Sequence, residues 1–161
     1  MRRLIHYSSK PLTKMHSTTL NHRPCGVYKT PGLWVSAEGP DDWLHWCQSE
    51  SFGLDGFKHA TEVVLHKDAN VCFLKSAADI DAFTDEFAPA KGREVWDRAL
   101  DWQRIRAKWM ALIITPYCWQ RRHEPHTGWY YGWDCASGVI WNAKAVKKLI
   151  PLPAPVLEDV T

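Results

Sequence analysis

Short apolar runs punctuated by Gly, Pro and polar clusters recur along this chain, and most are too short for helices. Arg3 to Ser8 (R-L-I-H-Y-S) predicts a first strand and Gly32 to Ser36 (G-L-W-V-S) a second. Between them, Lys10 to Pro31 scatters Pro11, Pro24, Gly26 and Pro31 among polar residues. It is expected to be a long loop, and a loop of that length inside a compact domain is often functional. Gly39-Pro40-Asp41-Asp42 predicts a helix start with Asp at the N-cap. That helix runs to about Ser49, with Trp43, Trp46 and Cys47 on one side. Thr61 to His66 and Asn70 to Leu74 predict two more strands, joined as a hairpin through Lys67 to Asn70. Ser76 is a good N-cap for a helix from Ala77 to Phe87, whose Ile80, Phe83 and Phe87 recur at helical spacing.

Beyond a break at Pro89 to Gly92, Arg93 to Lys108 predicts another helix, with Trp96, Leu100, Ile105 and Trp109 as apolar positions. Met110 to Thr115 (M-A-L-I-I-T) predicts a buried strand stopped by Pro116. Tyr117 to Gly128 is expected to be a second long polar loop, Gly138 to Trp141 the last strand, and Ala143 to Leu149 a short basic helix. Strands and helices do not alternate regularly. The expected class is therefore α+β: a single compact domain over residues 1–150, with a central split, antiparallel-rich sheet and inserted helices. Pro151, Pro153 and Pro155 make residues 151–161 an extended tail.

A length of 161 residues suits one domain with one sizeable core. Ten Trp residues are unusual, and they favour binding of flat rings as much as tight packing. The net charge of +2 is too small to imply nucleic acid by itself, although basic residues cluster at Arg2-Arg3, Lys91 to Arg93, Arg104 to Lys108, Arg121 to His123 and Lys144 to Lys148. The five Cys are odd in number and none are spaced C-x-x-C, so free thiols in a reducing cytoplasm are expected. No apolar segment follows Arg2-Arg3 as a secretory signal would require, and no run approaches the ~20 residues that span a bilayer.

No P-loop, G-x-G-x-x-G, G-x-S-x-G or H-E-x-x-H occurs, which removes several common enzyme classes. Cys118, His123, His126 and Cys135 have the ligand chemistry of zinc, but their spacing fits no zinc motif, so no metal is expected. A Cys–His nucleophile has no local signature here either; free Cys is more often a small buried hydrophobe.

Most chemistry is concentrated in Trp129 to Asn142 (W-Y-Y-G-W-D-C-A-S-G-V-I-W-N). There aromatics stand beside Asp134, Cys135 and Ser137, the make-up of a small-molecule or nucleotide pocket, and equally of a core edge where Trp and Tyr bury their rings and keep one polar end hydrogen-bonded. Two earlier strands add to it: His6, Tyr7 and Ser8 on the first, Trp34 and Ser36 on the second. This order resembles the mono-ADP-ribosyltransferases and PARP-like enzymes: a strand with His, a long loop, a Gly-aromatic-Ser strand, and an acidic position before a late strand.

The resemblance implies a split α+β sheet with NAD as substrate in its cleft. His6 would hold the ribose or phosphate side, assisted by Ser8. Trp34 and Ser36 would frame nicotinamide, and Asp134 would stabilise the ribosyl cation. The family's usual Glu just before the last strand is absent; Ser137 occupies about that place and Asp134 stands three residues upstream. Tyr117, Arg121 and Trp133 join the expected cofactor contacts. Arg121, Arg122, Arg2 and Arg3 are the arginines available for the diphosphate, since guanidinium geometry favours bidentate binding. The two long loops become lid and target loop. The acceptor would be a macromolecule, nucleic acid or protein. Two rival expectations are a non-catalytic single-stranded nucleic-acid or nucleotide-binding module, and a small interaction protein anchored by exposed Trp.

Overall fold

The computed structural model describes residues 2–20, 29–88 and 100–157. Seven strands form one mixed sheet: β1 (Leu4–Ser8), β2 (Leu33–Ala37), β3 (His59–Leu65), β4 (Val71–Leu74), β5 (Ala111–Ile114), β6 (Ser137–Ile140) and β7 (Val146–Leu152). Their order is β4-β5-β6-β2-β1-β3-β7, and every pairing is antiparallel except β4 with β5. Among the described residues three α-helices accompany it: α1 (Trp43–Ser49), α2 (Ala77–Phe87) and α3 (Trp102–Lys108). The chain is thus a single α+β domain, as the irregular alternation of elements predicts.

The junction in the middle of the sheet positions everything that follows. Strands β1 and β2 pair only at Leu4↔Ala37 and Ile5↔Ser36. Beyond Ile5, β1 continues on β3 as far as Ser8↔His59, while β2 continues on β6 as far as Leu33↔Ile140. The sheet is therefore two wings joined by a short seam. Past the seam the His6 ring bridges the gap: its Nδ1 lies 2.8 Å from the Trp34 carbonyl oxygen.

Local chemistry explains the helices that were legible. Asp42 caps α1 by accepting from the His45 amide, and Ser76 caps α2 by accepting from the Asp79 amide. Helix α2 turns Ile80, Phe83 and Phe87 inward, where Phe83 meets Trp129 with ring centroids 5.7 Å apart. Strands β5 and β6 are buried along their whole length, and Gly138 lets them approach: a Cβ there would lie 2.8 Å from the Leu112 carbonyl oxygen and 2.2 Å from Ile113 Cδ1.

Several expectations are corrected. The stretch expected to be a basic helix at 143–149 is a 3₁₀ turn (Ala143–Ala145) followed by β7, which pairs with β3 through Ala60↔Leu152. The last strand is therefore β7, and it carries the sheet two residues into the stretch expected as tail. Strands β3 and β4 do not form a hairpin: β3 lies between β1 and β7, and β4 pairs parallel with β5. The polar loop after Pro116 holds two 3₁₀ segments, Trp119–Arg121 and Pro125–Gly132. The helix expected from Arg93 to Lys108 is corrected: α3 begins only at Trp102, where Asp101 caps it by accepting from the Arg104 amide, and Leu100 lies before it. Residues 93–99, with Trp96, and residues 21–28 of the first long loop, with Cys25, lie outside the described residues. No helix among the described residues is long and apolar enough to cross a membrane.

Candidate functional site

A cleft of about 270 Å³ opens where the two wings part. Its lining draws on β1 (Ile5, His6, Tyr7), β2 (Trp34, Val35, Ser36), the first residue of α1 (Trp43), and the approach to β6 (Trp133, Asp134, Cys135, Ser137), with Lys29 at the end of the first long loop. Residues more than a hundred positions apart thus face one space because β2 is hydrogen-bonded to β6 while β1 diverges from it.

The aromatic wall is built in depth. Trp34 packs on Trp133 at 4.9 Å between ring centroids, and Trp133 packs edge-on against Trp129 at 6.3 Å. Trp129 is anchored in turn, its Nε1 donating to Thr84 Oγ1 at 2.8 Å in a fully buried bond. From the other side Trp43 enters, stacked on Trp46 at 5.0 Å and 12°, with Phe52 edge-on to both. Rings held this way lose little freedom on meeting another ring, which suits a flat ligand. Trp43 was legible only as the apolar side of a helix; nothing in its spacing assigned it to a site.

Polar groups are few and placed. A carbonyl oxygen can only accept, so His6 Nδ1 carries the proton donated to Trp34, which leaves Nε2 as the ring nitrogen available to another partner. Ser36 Oγ accepts from the Trp43 amide at 3.0 Å, which leaves its hydroxyl proton to donate. Ser137 Oγ donates to the Cys135 carbonyl at 3.0 Å. Burial pushes the Cys135 thiol up to about 12, and burial likewise pushes the Tyr7 phenol up to about 12, so both stay protonated near neutrality.

The approach to β6 is clamped on both sides. The Ala136 amide donates to the Asp41 carbonyl at 2.7 Å, and the Ala37 amide donates to the Ala136 carbonyl at 2.9 Å. Asp41 itself accepts from Arg2 and from the Tyr117 amide. Asp134 is fixed by Arg122, whose Nη2 donates to Oδ1 at 2.9 Å; the guanidinium carbon sits 5.8 Å from the ring centroids of both Trp119 and Tyr131. With Oδ1 engaged, Oδ2 has no protein donor among the described residues.

The structure therefore brings His6, Trp34, Ser36, Trp133, Asp134 and Ser137 to one cleft. It does not bring Ser8, Tyr117 or Arg121 there. Ser8 Oγ donates to the Lys10 carbonyl at the surface. Tyr117 is buried behind the wall, its hydroxyl donating to the Trp133 carbonyl. Arg121 makes a two-point pair with Asp81 at 2.6 and 2.7 Å on the α2 side. Cys118 Sγ donates to Gln120 Oε1 at 3.3 Å, and no group of three or more His, Cys, Asp or Glu among the described residues is placed to hold a metal ion. Compared with known proteins, the chain matches no family model, no curated protein and no solved structure.

Proposed function

We propose that this chain is an NAD-dependent mono-ADP-ribosyltransferase acting on a macromolecular acceptor. One observation carries the proposal. The cleft at the parted strands gathers a ring-binding aromatic wall, the His6 imidazole, the Ser36 hydroxyl and the Asp134 carboxylate, with Lys29, Tyr7 and Ser137 also in its lining.

Each residue has a role that its geometry suits. Trp34, with Trp133 behind it, offers a face to nicotinamide, and Trp43 supplies a second ring wall. His6 Nε2 accepts from a ribose hydroxyl, its orientation set by the Trp34 carbonyl. The Ser36 hydroxyl donates to the carboxamide. Asp134 Oδ2 faces the charge that grows on the ribose as the glycosidic bond to the pyridinium nitrogen breaks. Nicotinamide leaves neutral with the bonding electrons, and the acceptor's nucleophile closes on the sugar while giving up its proton. A carboxylate that meets positive charge only as it develops lowers the barrier more than it tightens ground-state binding. Cys135, protonated and buried, contributes surface and no nucleophile.

A second reading is favoured by a specific observation. The Asp134 charge is already shared with Arg122, and Ser137 stands about where the resembling enzymes carry Glu. A cleft with a neutralised acid would bind a nucleotide without turning it over. NAD labelled in its adenylate half, mixed with protein, DNA and RNA acceptors, separates the two. Label that becomes covalently attached to one acceptor, and is lost with Asp134→Asn, supports the transferase. NAD that binds in a titration but transfers no label leaves the nucleotide-binding module.

A further inference from the structure

Each arginine that the sequence offers for a diphosphate is already engaged. Arg2 pairs with Asp41, and Arg3 makes a two-point pair with Glu38. Arg121 makes another with Asp81, and Arg122 holds Asp134. A ligand phosphate would have to strip a carboxylate from any of them. The cleft nevertheless holds one cation in a different state. Lys29 lines it, and its ammonium lies 5.3 Å from the centroid of the Trp34 ring with no carboxylate partner among the described residues. Since Asp134 is balanced by Arg122, Lys29 gives the described lining of the cleft an excess positive charge beside its ring-binding wall.

The position of Lys29 is built. Thr30, the next residue, is 2% exposed, and its Oγ1 accepts from Arg106 Nη1 at 3.1 Å. The same nitrogen donates to the Pro31 carbonyl at 2.7 Å, while Nη2 donates to the Thr18 carbonyl. Thr18 Oγ1 closes the ring of contacts by donating to the Pro31 carbonyl at 3.0 Å. The guanidinium rests on Trp141, 5.6 Å from its centroid, at the end of β6. One side chain of α3 therefore ties Thr18 to Pro31, and Lys29 leaves that tie immediately beside the first residues of β2.

We propose that Lys29 is the anion-binding residue of the cleft, taking the phosphate of a ligand whose flat ring enters against Trp34. This deepens the dinucleotide reading and rests on it for the ligand's identity. The resting place of the ammonium agrees with the role. An incoming ring needs the face of Trp34, and an ammonium on a four-carbon stem can give up that cation–π contact for a charged hydrogen bond to phosphate.

Calorimetric titration of the whole chain with NAD, ADP, inorganic pyrophosphate and nicotinamide riboside, which lacks phosphate, tests the assignment. Lys29→Gln is expected to weaken NAD and ADP by about tenfold, equal to ~1.4 kcal/mol. It is also expected to flatten their dependence on salt, because a screened charge has been removed. Riboside binding stays unchanged, and Lys29→Arg restores phosphate binding. Lys29 is exposed, so the variant keeps its thermal midpoint. Equal loss for the riboside, or NAD bound by Lys29→Gln as by wild type, overturns the assignment while the dinucleotide reading stands. Lys29-dependent binding of ADP and pyrophosphate without NAD binding keeps the assignment and removes NAD as the ligand. Failure of every phosphate compound to bind overturns both.

Discussion

Thr84→Val tests whether the wall of the cleft is held from behind. Thr84 Oγ1 accepts from Trp129 Nε1 at 2.8 Å, and both side chains are 0% exposed. Valine keeps the shape and removes the acceptor, so the indole N–H is left buried with no partner and no water. Such an orphan costs about 1–3 kcal/mol. In a chain of this size that lowers the melting midpoint by roughly 2–4 °C for each kcal/mol lost. Thr84→Ser keeps the hydroxyl and loses one methyl, so it is expected to cost less. Trp129→Phe removes the donor together with buried area, and adding Thr84→Val to it costs little more. The resulting double-mutant cycle should show a coupling on the order of 1 kcal/mol. Denaturant titrations of the four proteins measure it. Thr84→Val as stable as wild type, or additive losses with no coupling, would refute the claim that α2 anchors the segment leading to Asp134.

Three further outcomes follow from the same geometry. Gly138→Ala places a methyl 2.8 Å from the Leu112 carbonyl oxygen, so β5 and β6 must separate; a loss of about 1–3 kcal/mol is expected in urea titration. Asp41 is partly buried, which disfavours its charge, but its bonds from the Tyr117 amide and Arg2 outweigh that and hold its carboxyl below the usual range. A carboxyl depressed on folding contributes stability above its unfolded value, roughly 3.9, and loses it as pH falls toward the folded value. Asp41→Asn should therefore destabilise the protein at neutral pH and narrow its gap from wild type in acid, seen in melting curves from pH ~6 down to ~2. Burial pushes the Cys47 and Cys72 thiols up to about 12, as it does Cys135, so an alkylating reagent at neutral pH should label these three only after denaturation; rapid labelling of the native chain would contradict their burial.

Elements whose signals are local were legible in the sequence. Asp42 and Ser76 cap where short polar side chains precede periodic apolar positions, and β1, β2 and β5 stand where Gly, Pro and polar residues bracket apolar runs. Elements set by distant partners were not. Val146, Leu149 and Ile150 fall at helical spacing, yet the segment is drawn out as an edge strand because β3 presents an open ladder. Strands β3 and β4 sit either side of a convincing turn, but β4 buries more by joining β5, so the local hairpin gives way. The same division holds in the cleft. His6, Trp34, Ser36 and Asp134 could be nominated by residue type and order, because the first three lie on strands that expose each to a definite face and Asp134 comes shortly before one. The engagement of Arg121 with Asp81 spans forty positions and leaves no trace in spacing. Lys29 and Trp43 were missed for a related reason: one sits in a polar loop and the other in an apolar helix face, and only the parting of β1 from β2 opens the cleft that both line.

Release of nicotinamide from NAD, by wild type and by Asp134→Asn matched for thermal stability, tests the central claim most directly. The account predicts release by the wild type, accelerated by one class of macromolecular acceptor and lost in the variant. No release under any acceptor condition, or equal release by both proteins, would contradict it: the first removes the chemistry, and the second removes Asp134 from it.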